Sequence, residues 1–413
     1  MGGGWKRAIF QKVFHDWTAL ARIPFVVTVL TAALSFTPLE AIKDPIITIE
    51  EGVIRNIASR RAAEIPAGAR VVDFPGAVLA PGFIDIHIHG GAGYDVMQAE
   101  TGAPEGFERL LAAHGVTSYL PTTVTAPIDQ TLKSLEKLAK ATEAAAIPGK
   151  SAGRAQPLGI HLEGPFISHA KRGVHPAENI LPPSVQAFDR FWEAARGRIK
   201  MMTLAPELPG MEQLIGEARH REVRVSLGHS NADLRSARAA VEAGATHATH
   251  TFNAMRSLQH RDPGILGVVL TDSRLTADII ADGVHVDPVV IELFLRAKGP
   301  EAAVLITDAI SATGMPEGRY RLGSLEVEVQ GTRCFSEGRL AGSVLTLDRA
   351  VRNIMKFANW GLRDAVRLAT LNPARVLGVA SRKGALLAGC DADIVVLSGS
   401  GEVVKTMVRG AGI

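Results

Sequence analysis

Cysteine is almost missing from this chain of 413 residues: Cys334 and Cys390 could form at most one bridge and lie far apart. That excludes a disulfide framework and fits a reducing compartment, so a cytoplasmic address is the starting expectation. An excess of either charge is missing too. Lys and Arg total 45 against 42 Asp and Glu, which leaves no basic field to hold nucleic acid or anionic lipid, so partners should be small molecules. Charged residues make up only 21% against 46% hydrophobic ones, a balance that excludes a disordered chain. No internal repeat or low-complexity tract is present. A membrane-spanning run is also lacking: the apolar stretch from Ile23 to Phe36, preceded by Lys6, Arg7 and Lys12, has the length of a signal-peptide hydrophobic region but is too short to span a bilayer. The reading favoured here is an amino-terminal extension over residues 1–26, followed by a buried strand from Val26 to Phe36.

What is present is a β/α alternation. Between Phe83 and Asp308, eight short β-rich runs occur, 83–89, 116–120, 158–162, 200–204, 223–227, 246–250, 275–279 and 303–307. Amphipathic stretches intervene at 106–114, 128–145, 211–220, 231–243 and 288–297, the pattern of a parallel sheet with crossover helices. Eight such units predict an α/β fold, a closed (β/α)8 TIM barrel. The flanks read as strands at both ends, 46–57 with a turn at Glu51-Gly52, 71–79, and more within 385–408. They predict a small β-sandwich domain built from residues 27–79 and 377–413, around a catalytic barrel over residues 80–376. Residues 312–345, rich in glycine and charge, predict a loop or hairpin excursion, followed by helices near 347–358 and 362–371.

The strongest chemical signal is PGFIDIHIHG, residues 81–90. In a strand, alternate side chains share a face, so His87 and His89 point together while Ile84, Ile86 and Ile88 point away. Two imidazoles at the carboxyl end of a barrel strand can hold a divalent metal, although a pair of core histidines fits the same spacing. Further ligand types fall at other strand ends: Glu163 in HLEGP, His229 in LGHS, His250 in THATHTFN and Asp308 in LITDA. Scattered structural histidines have no reason to collect at the termini that a barrel brings to one rim.

Read in order, PGFIDIHIHG, HLEGPF, GHSNA, THTFNAM, ADGVH, TDAISATG and LAGS, closed by NPARVLG and GCDADIVVL, resemble the metal-dependent amidohydrolases and, within them, the family of N-acetylglucosamine-6-phosphate deacetylases. The resemblance runs from about Val26 to the carboxyl terminus. It implies a metal site of Glu163, His229 and His250, with His87 and His89 as the added ligands of members that bind a second ion. One or two divalent ions follow, with zinc ahead of iron, manganese or cobalt. Asp308 matches the catalytic acid/base and His175 the residue that polarises the amide carbonyl. Asn253, Ala254, His285 and Arg261 match sugar-phosphate contacts, with Val174, Asp282, Leu340, Ala341 and Gly342 in the same motifs. In relatives the arginine crosses a dimer interface, so a homodimer is implied.

The implied reaction suits these residue types. An amide has a weakly electrophilic carbonyl and a poor leaving group. A metal addresses the first difficulty. Asp308 addresses the second by taking a proton from the attacking water and passing it to the departing amine, while His175 donates to the developing oxyanion. The products would be glucosamine 6-phosphate and acetate. Two alternatives remain open at this point. A cyclic-amide hydrolase would commonly carry a carboxylated lysine at the end of the fourth strand, where this chain has Lys200 at the beginning instead. A barrel that only binds would be expected to have lost ligands or Asp308. His161 reads as a residue behind the ligands, His15, His114, His220 and His260 as surface groups or caps, and His169 and His247 have no assigned role. Neither cysteine looks like a nucleophile.

Overall fold

The computed structural model of the chain describes residues 27–98, 104–147 and 149–413, so the extension over residues 1–26 lies outside the described residues. All eight expected runs form strands: Phe83–Ile88, Val116–Thr123, Ile160–Glu163, Ile199–Leu204, Arg224–Leu227, His247–Ala248, Ala277–Ile280 and Ala303–Ile306. They are buried apolar segments, as parallel strands covered by helices must be. The first six pair in sequence order, each step parallel, and the seventh pairs with the eighth. Elsewhere separate backbone bonds take over. Thr276 N donates to Thr246 O at 3.1 Å and Ala248 N to Thr276 O at 3.0 Å, between the sixth and seventh strands. Asp308 N donates to His87 O at 3.0 Å and His89 N to Ala309 O at 2.8 Å, between the eighth and the first. The arrangement is TIM-barrel-like, with regular pairing over an open six-strand run and a separate pair rather than the uninterrupted barrel expected. The sixth strand is too short to carry a full ladder, because the chain turns at His250 (φ 30°) and Phe252 (φ 79°).

Helices Glu105–Ala113, Ile128–Ala146, Met211–His220, Leu234–Ala243 and Pro288–Ala302 follow the amphipathic stretches. The fourth of these starts three residues later than predicted, because Asp233 caps it by accepting from Ser236 N at 2.7 Å. Two further helices, Val185–Ala194 and Gly264–Thr271, were not predicted. The predicted 362–371 helix divides into Leu362–Leu368 and Leu371–Val376, since Pro373 cannot donate back to residue 369.

Both chain ends enter one seven-stranded mixed sheet, made of Thr28–Phe36, Ala41–Lys43, Pro45–Glu50, Val53–Ser59, Arg70–Pro81, Ile394–Leu397 and Val403–Met407. Arg70–Pro81 is long enough to pair with Thr28–Phe36 along one stretch and with Ile394–Leu397 at its end, and the far strand Val53–Ser59 returns to the carboxyl-terminal segment, Ile54 N donating to Cys390 O at 2.9 Å, so the strands predicted as a sandwich form one continuous sheet that folds over a shared apolar side. Leu30, Ile47, Leu79, Ile394 and Val396 form its own apolar cluster. Pro81 leads directly into the first parallel strand, and Gly82 N donates to Asp393 O at 2.9 Å. The excursion after the eighth strand is a four-stranded antiparallel sheet, Gly318–Leu322, Leu325–Gln330, Arg333–Ser336 and Arg339–Leu340. No helix among the described residues is long and apolar enough to cross a membrane.

Candidate metal centre and active-site cleft

Strand alternation carries His87 and His89 to one face, as the sequence predicts, and places Asp85 on it too. Asp85 is buried, accepts from Thr307 Oγ1 at 2.6 Å and has its carboxyl pushed up to about 7 by burial. It ties the first strand to the eighth just beneath the imidazoles. At the rim the predicted ligands converge in two groups, His87, His89 and Asp308, and Glu163, His229 and His250, each with its ligand atoms within 4.8 Å of one another. Glu163 joins them. Its Oε1 lies 3.2 Å from His229 Nε2 and 3.1 Å from His250 Nε2, and its Oε2 lies 3.4 Å from His87 Nε2 and 3.5 Å from His89 Nε2. Asp308 Oδ1 is 3.0 Å from His89 Nε2.

The ring orientation is set from behind. His229 Nδ1 faces the Lys171 carbonyl at 3.0 Å and His89 Nδ1 faces the Thr122 carbonyl at 2.9 Å. A carbonyl only accepts, so each Nδ1 carries a proton and each Nε2 turns toward the cup, the arrangement that metal-binding histidines adopt. Oxygen and imidazole donors in this number suit a divalent cation, and the residues fit such an ion. The electrostatics agree. Burial disfavours charge on His89 and His250, yet the Asp308 and Glu163 carboxylates outweigh it and raise both to about 9. Burial likewise opposes ionisation of Glu163 and Asp308, and the neighbouring imidazoles hold both below the usual carboxylate range. Carboxylates that hold protons on their imidazole neighbours can hold a cation in the same place. The backbone shows the cost of this convergence: His229 (φ 48°), His250 (φ 30°) and Asp308 (φ 51°) all occupy the left-handed region that non-glycine residues avoid.

Above the cup lies a cleft of about 150 Å3. His175 lines it, with Nε2 3.8 Å from Glu163 Oε2. Thr125 N donates to His175 Nδ1 at 3.2 Å, so the ring proton sits on Nε2, and burial lowers its pKa to about 3. A neutral ring with its one N–H aimed at the cup is a hydrogen-bond donor. Gly173, two residues before it, has φ 59° and leaves room that a Cβ would close to 3.3 Å from the His229 ring.

Of the other predicted contacts, Val174, Asn253, Ala254, His285, Leu340 and Gly342 also line the cleft. Asp282 does not line it but accepts from His285 Nδ1 at 2.7 Å and so fixes that ring. Ala341 is buried behind the lining, and Arg261 is exposed on the turn between Gln259 and Asp262, outside it. His161 contributes no free ligand atom, because its nitrogens face Ile86 O at 3.1 Å and Thr203 Oγ1 at 2.7 Å. His247 pairs with buried Asp278 at 2.9 Å, and Asp278 also accepts from His250 N.

Val124, Thr125, Asp278 and Leu322 are site residues that the sequence reading passed over. Thr125 and Asp278 act on partners 50 and 28 residues away, which leaves no local pattern. Asp85 was legible from alternation alone.

The profile of the amidohydrolase family matches residues 78–412. The chain is 38% identical over 378 residues to the N-acetylglucosamine-6-phosphate deacetylase of Bacillus subtilis (strain 168), covering 91% of this chain and 94% of that protein. It is also 38% identical over 387 residues to the N-acetylgalactosamine-6-phosphate deacetylase of Escherichia coli O157:H7, covering 92% and 98%. Among solved structures, a mutant N-acetyl-D-glucosamine-6-phosphate deacetylase from Mycobacterium smegmatis in complex with N-acetyl-D-glucosamine-6-phosphate superposes with a TM-score of 0.86 at 33% identity, covering 94% of this chain and 99% of that one.

Proposed function

The chain belongs to the amidohydrolase family, and from that premise we propose that it hydrolyses the acetamide of N-acetylglucosamine 6-phosphate to glucosamine 6-phosphate and acetate. The observation that carries this reading is the convergence of Glu163, His229, His250, His87, His89 and Asp308 beneath a cleft that also presents His175. A bound divalent ion supplies Lewis acidity there, making water a usable nucleophile near neutral pH and drawing charge from an acyl oxygen. Glu163, His229 and His250 would hold the first ion, and His87 and His89 would help hold a second. Zinc heads the candidates that such donors accept, followed by iron, manganese and cobalt.

Asp308 is ionised at neutral pH because the imidazoles beside it stabilise its charge, so it is ready to take a proton from attacking water. The same oxygen then delivers that proton to the amine as the C–N bond breaks. His175, neutral and protonated on Nε2, donates to the oxygen that gains charge as the carbonyl becomes tetrahedral. Such a donor contributes on the order of 3 kcal/mol in other enzymes. Asn253, the Ala254 backbone and His285, steadied by Asp282, hold the sugar phosphate, with Val174, Leu340, Ala341 and Gly342 shaping its seat.

The domain assignment belongs to the same proposal: a catalytic (β/α)8 barrel over residues 80–376 and a β-domain from 27–79 and 377–413. So do a cytoplasmic location and a homodimer, in which Arg261 reaches the partner's phosphate subsite. Its exposed position outside this chain's own cleft supports that arrangement, and guanidinium suits phosphate oxygens. Arg261→Ala should raise KM for the phosphorylated sugar far more than it lowers kcat. Equal activity of the unaltered protein on N-acetylglucosamine with and without phosphate counts against the role.

The cyclic-amide alternative has less support, because Lys200 stands near the amino end of the fourth strand and Glu163 provides the carboxylate. The deciding experiment measures acetate release from N-acetylglucosamine 6-phosphate by purified protein, with metal content determined on the same sample and the 4-epimeric galactosamine substrate run in parallel. Hydrolysis of a cyclic amide without deacetylation overturns the reading.

A further inference from the structure

Val124 and Leu322 lie on the cleft wall, are buried, and have no part in the chemistry assigned above. Val124 follows the second strand and immediately precedes Thr125, the partner of His175. Leu322 ends the first strand of the excursion sheet. The two are brought together at Gly323, which has φ 58° and where a Cβ would fall 2.7 Å from Val124 Cγ2; any larger residue would push the turn off the wall. The turn is also pinned. Gly323 N donates to Asp95 Oδ2 at 2.7 Å, and Ser311 Oγ donates to Arg321 O at 2.6 Å. Leu322 is therefore held over the cleft by the segments that follow the first and eighth strands.

This wall stands opposite the sugar subsite of the proposed function, on which the inference rests. Asn253 and Ala254 follow the sixth strand and Val124 the second, four steps apart in the strand order of the parallel sheet. A secondary amide is planar and places its two carbon substituents on opposite sides of the C–N bond. With the sugar toward Asn253 and His285, and the carbonyl oxygen toward His175 and the cup, the acyl methyl is directed at Val124 and Leu322. We propose that Val124 and Leu322 form a rigid apolar stop that receives the acyl methyl and limits the length of the acyl chain the enzyme removes.

The test compares kcat/KM for the N-acetyl, N-propionyl and N-butyryl glucosamine 6-phosphates. One methylene in an apolar pocket is worth about 10- to 200-fold in discrimination. The unaltered protein should favour acetyl over propionyl by at least about tenfold, and Leu322→Ala should close most of that gap. Val124→Ala should do the same more weakly, and Leu322→Val serves if the alanine variant melts too early. A second readout needs no turnover: by calorimetry, Asp308→Asn should bind the acetyl ligand more tightly than the propionyl one, and adding Leu322→Ala should level the two. If the folded variants deacetylate but keep the original acyl preference, the proposal is overturned while the deacetylase reading stands. If the metal-loaded unaltered protein releases no acetate at all, the deacetylase reading fails and the acyl stop fails with it.

Discussion

The rim of the parallel strands and the sheet built from the chain ends treat buried charge in opposite ways. At the rim, Glu163 and Asp308 face four imidazole nitrogens, and three of the residues involved adopt left-handed backbone angles. In the end sheet and the turn leading to it, Lys383 is buried but reaches Asp393 at 2.5 Å and Asp391 at 3.1 Å, while Asp393 also accepts from Arg409 N at 2.8 Å. Charge there is closed on itself. Charge at the rim is left facing a cavity, where it can also serve a cation and a substrate. The contrast separates residues kept for chemistry from residues kept for the fold.

Two substitutions test that separation, beginning with the larger effect. Asp308→Asn removes the proton carrier and should lower kcat/KM by about 10²- to 10⁴-fold. Asparagine keeps the side chain's shape and tolerates the left-handed φ, and because the depressed carboxyl contributes stability near neutral pH, the melting temperature should fall only modestly beside the loss of activity. A loss of stability with acetate release per folded, metal-loaded molecule unchanged would show that the rim is a structural charge cluster. Lys383→Ala should do the reverse. Removing one partner of a buried ionic network costs about 3–5 kcal/mol, because Asp391 and Asp393 are left without their ammonium, so the denaturation midpoint should fall sharply. Acetate release per folded, metal-loaded molecule should hardly change. A matching fall in kcat would mean that the end sheet positions the first strand for catalysis through the Gly82–Asp393 bond.

The two regions also differ in how readily the sequence discloses them. Alternation in PGFIDIHIHG marks the first strand and its two imidazoles, and each ligand at a strand end is announced by the apolar run before it. These are local patterns, and local patterns survive in a one-dimensional reading. Gly264–Thr271 was missed because its residues are apolar nearly all round and show no helical period. Val185–Ala194 did carry a cap signal, Ser184 accepting from Ala187 N at 3.2 Å, that went unread. The end domain is less local: strand-rich ends predict pairing, but only the reach of Arg70–Pro81 decides that strands from both ends share one continuous sheet. Val124 and Leu322 meet through residues nearly 200 positions apart in the chain, and nothing near either announces the other.

The smallest test lies between the two regions, at the start of helix Leu347–Ala358. Asp348 sits in its first turn, 3.1 Å from His114 Nδ1 and 2.8 Å from Arg352 Nη1. Burial opposes its ionisation, but His114 and Arg352, with the Thr346 side chain, hold it below the usual carboxylate value of 3.8. A carboxyl whose folded pKa is depressed contributes stability above the unfolded value, and that contribution disappears as pH falls through the folded one. Asp348→Asn should therefore cost about 2 kcal/mol near neutral pH, and the gap between variant and unaltered protein should narrow below pH 3.8. Denaturant melts at several pH values check this. Because the pair is closed on itself like the Lys383 network, kcat should be unaffected. A pH-independent gap would mean that Asp348 acts through packing and not through its charge.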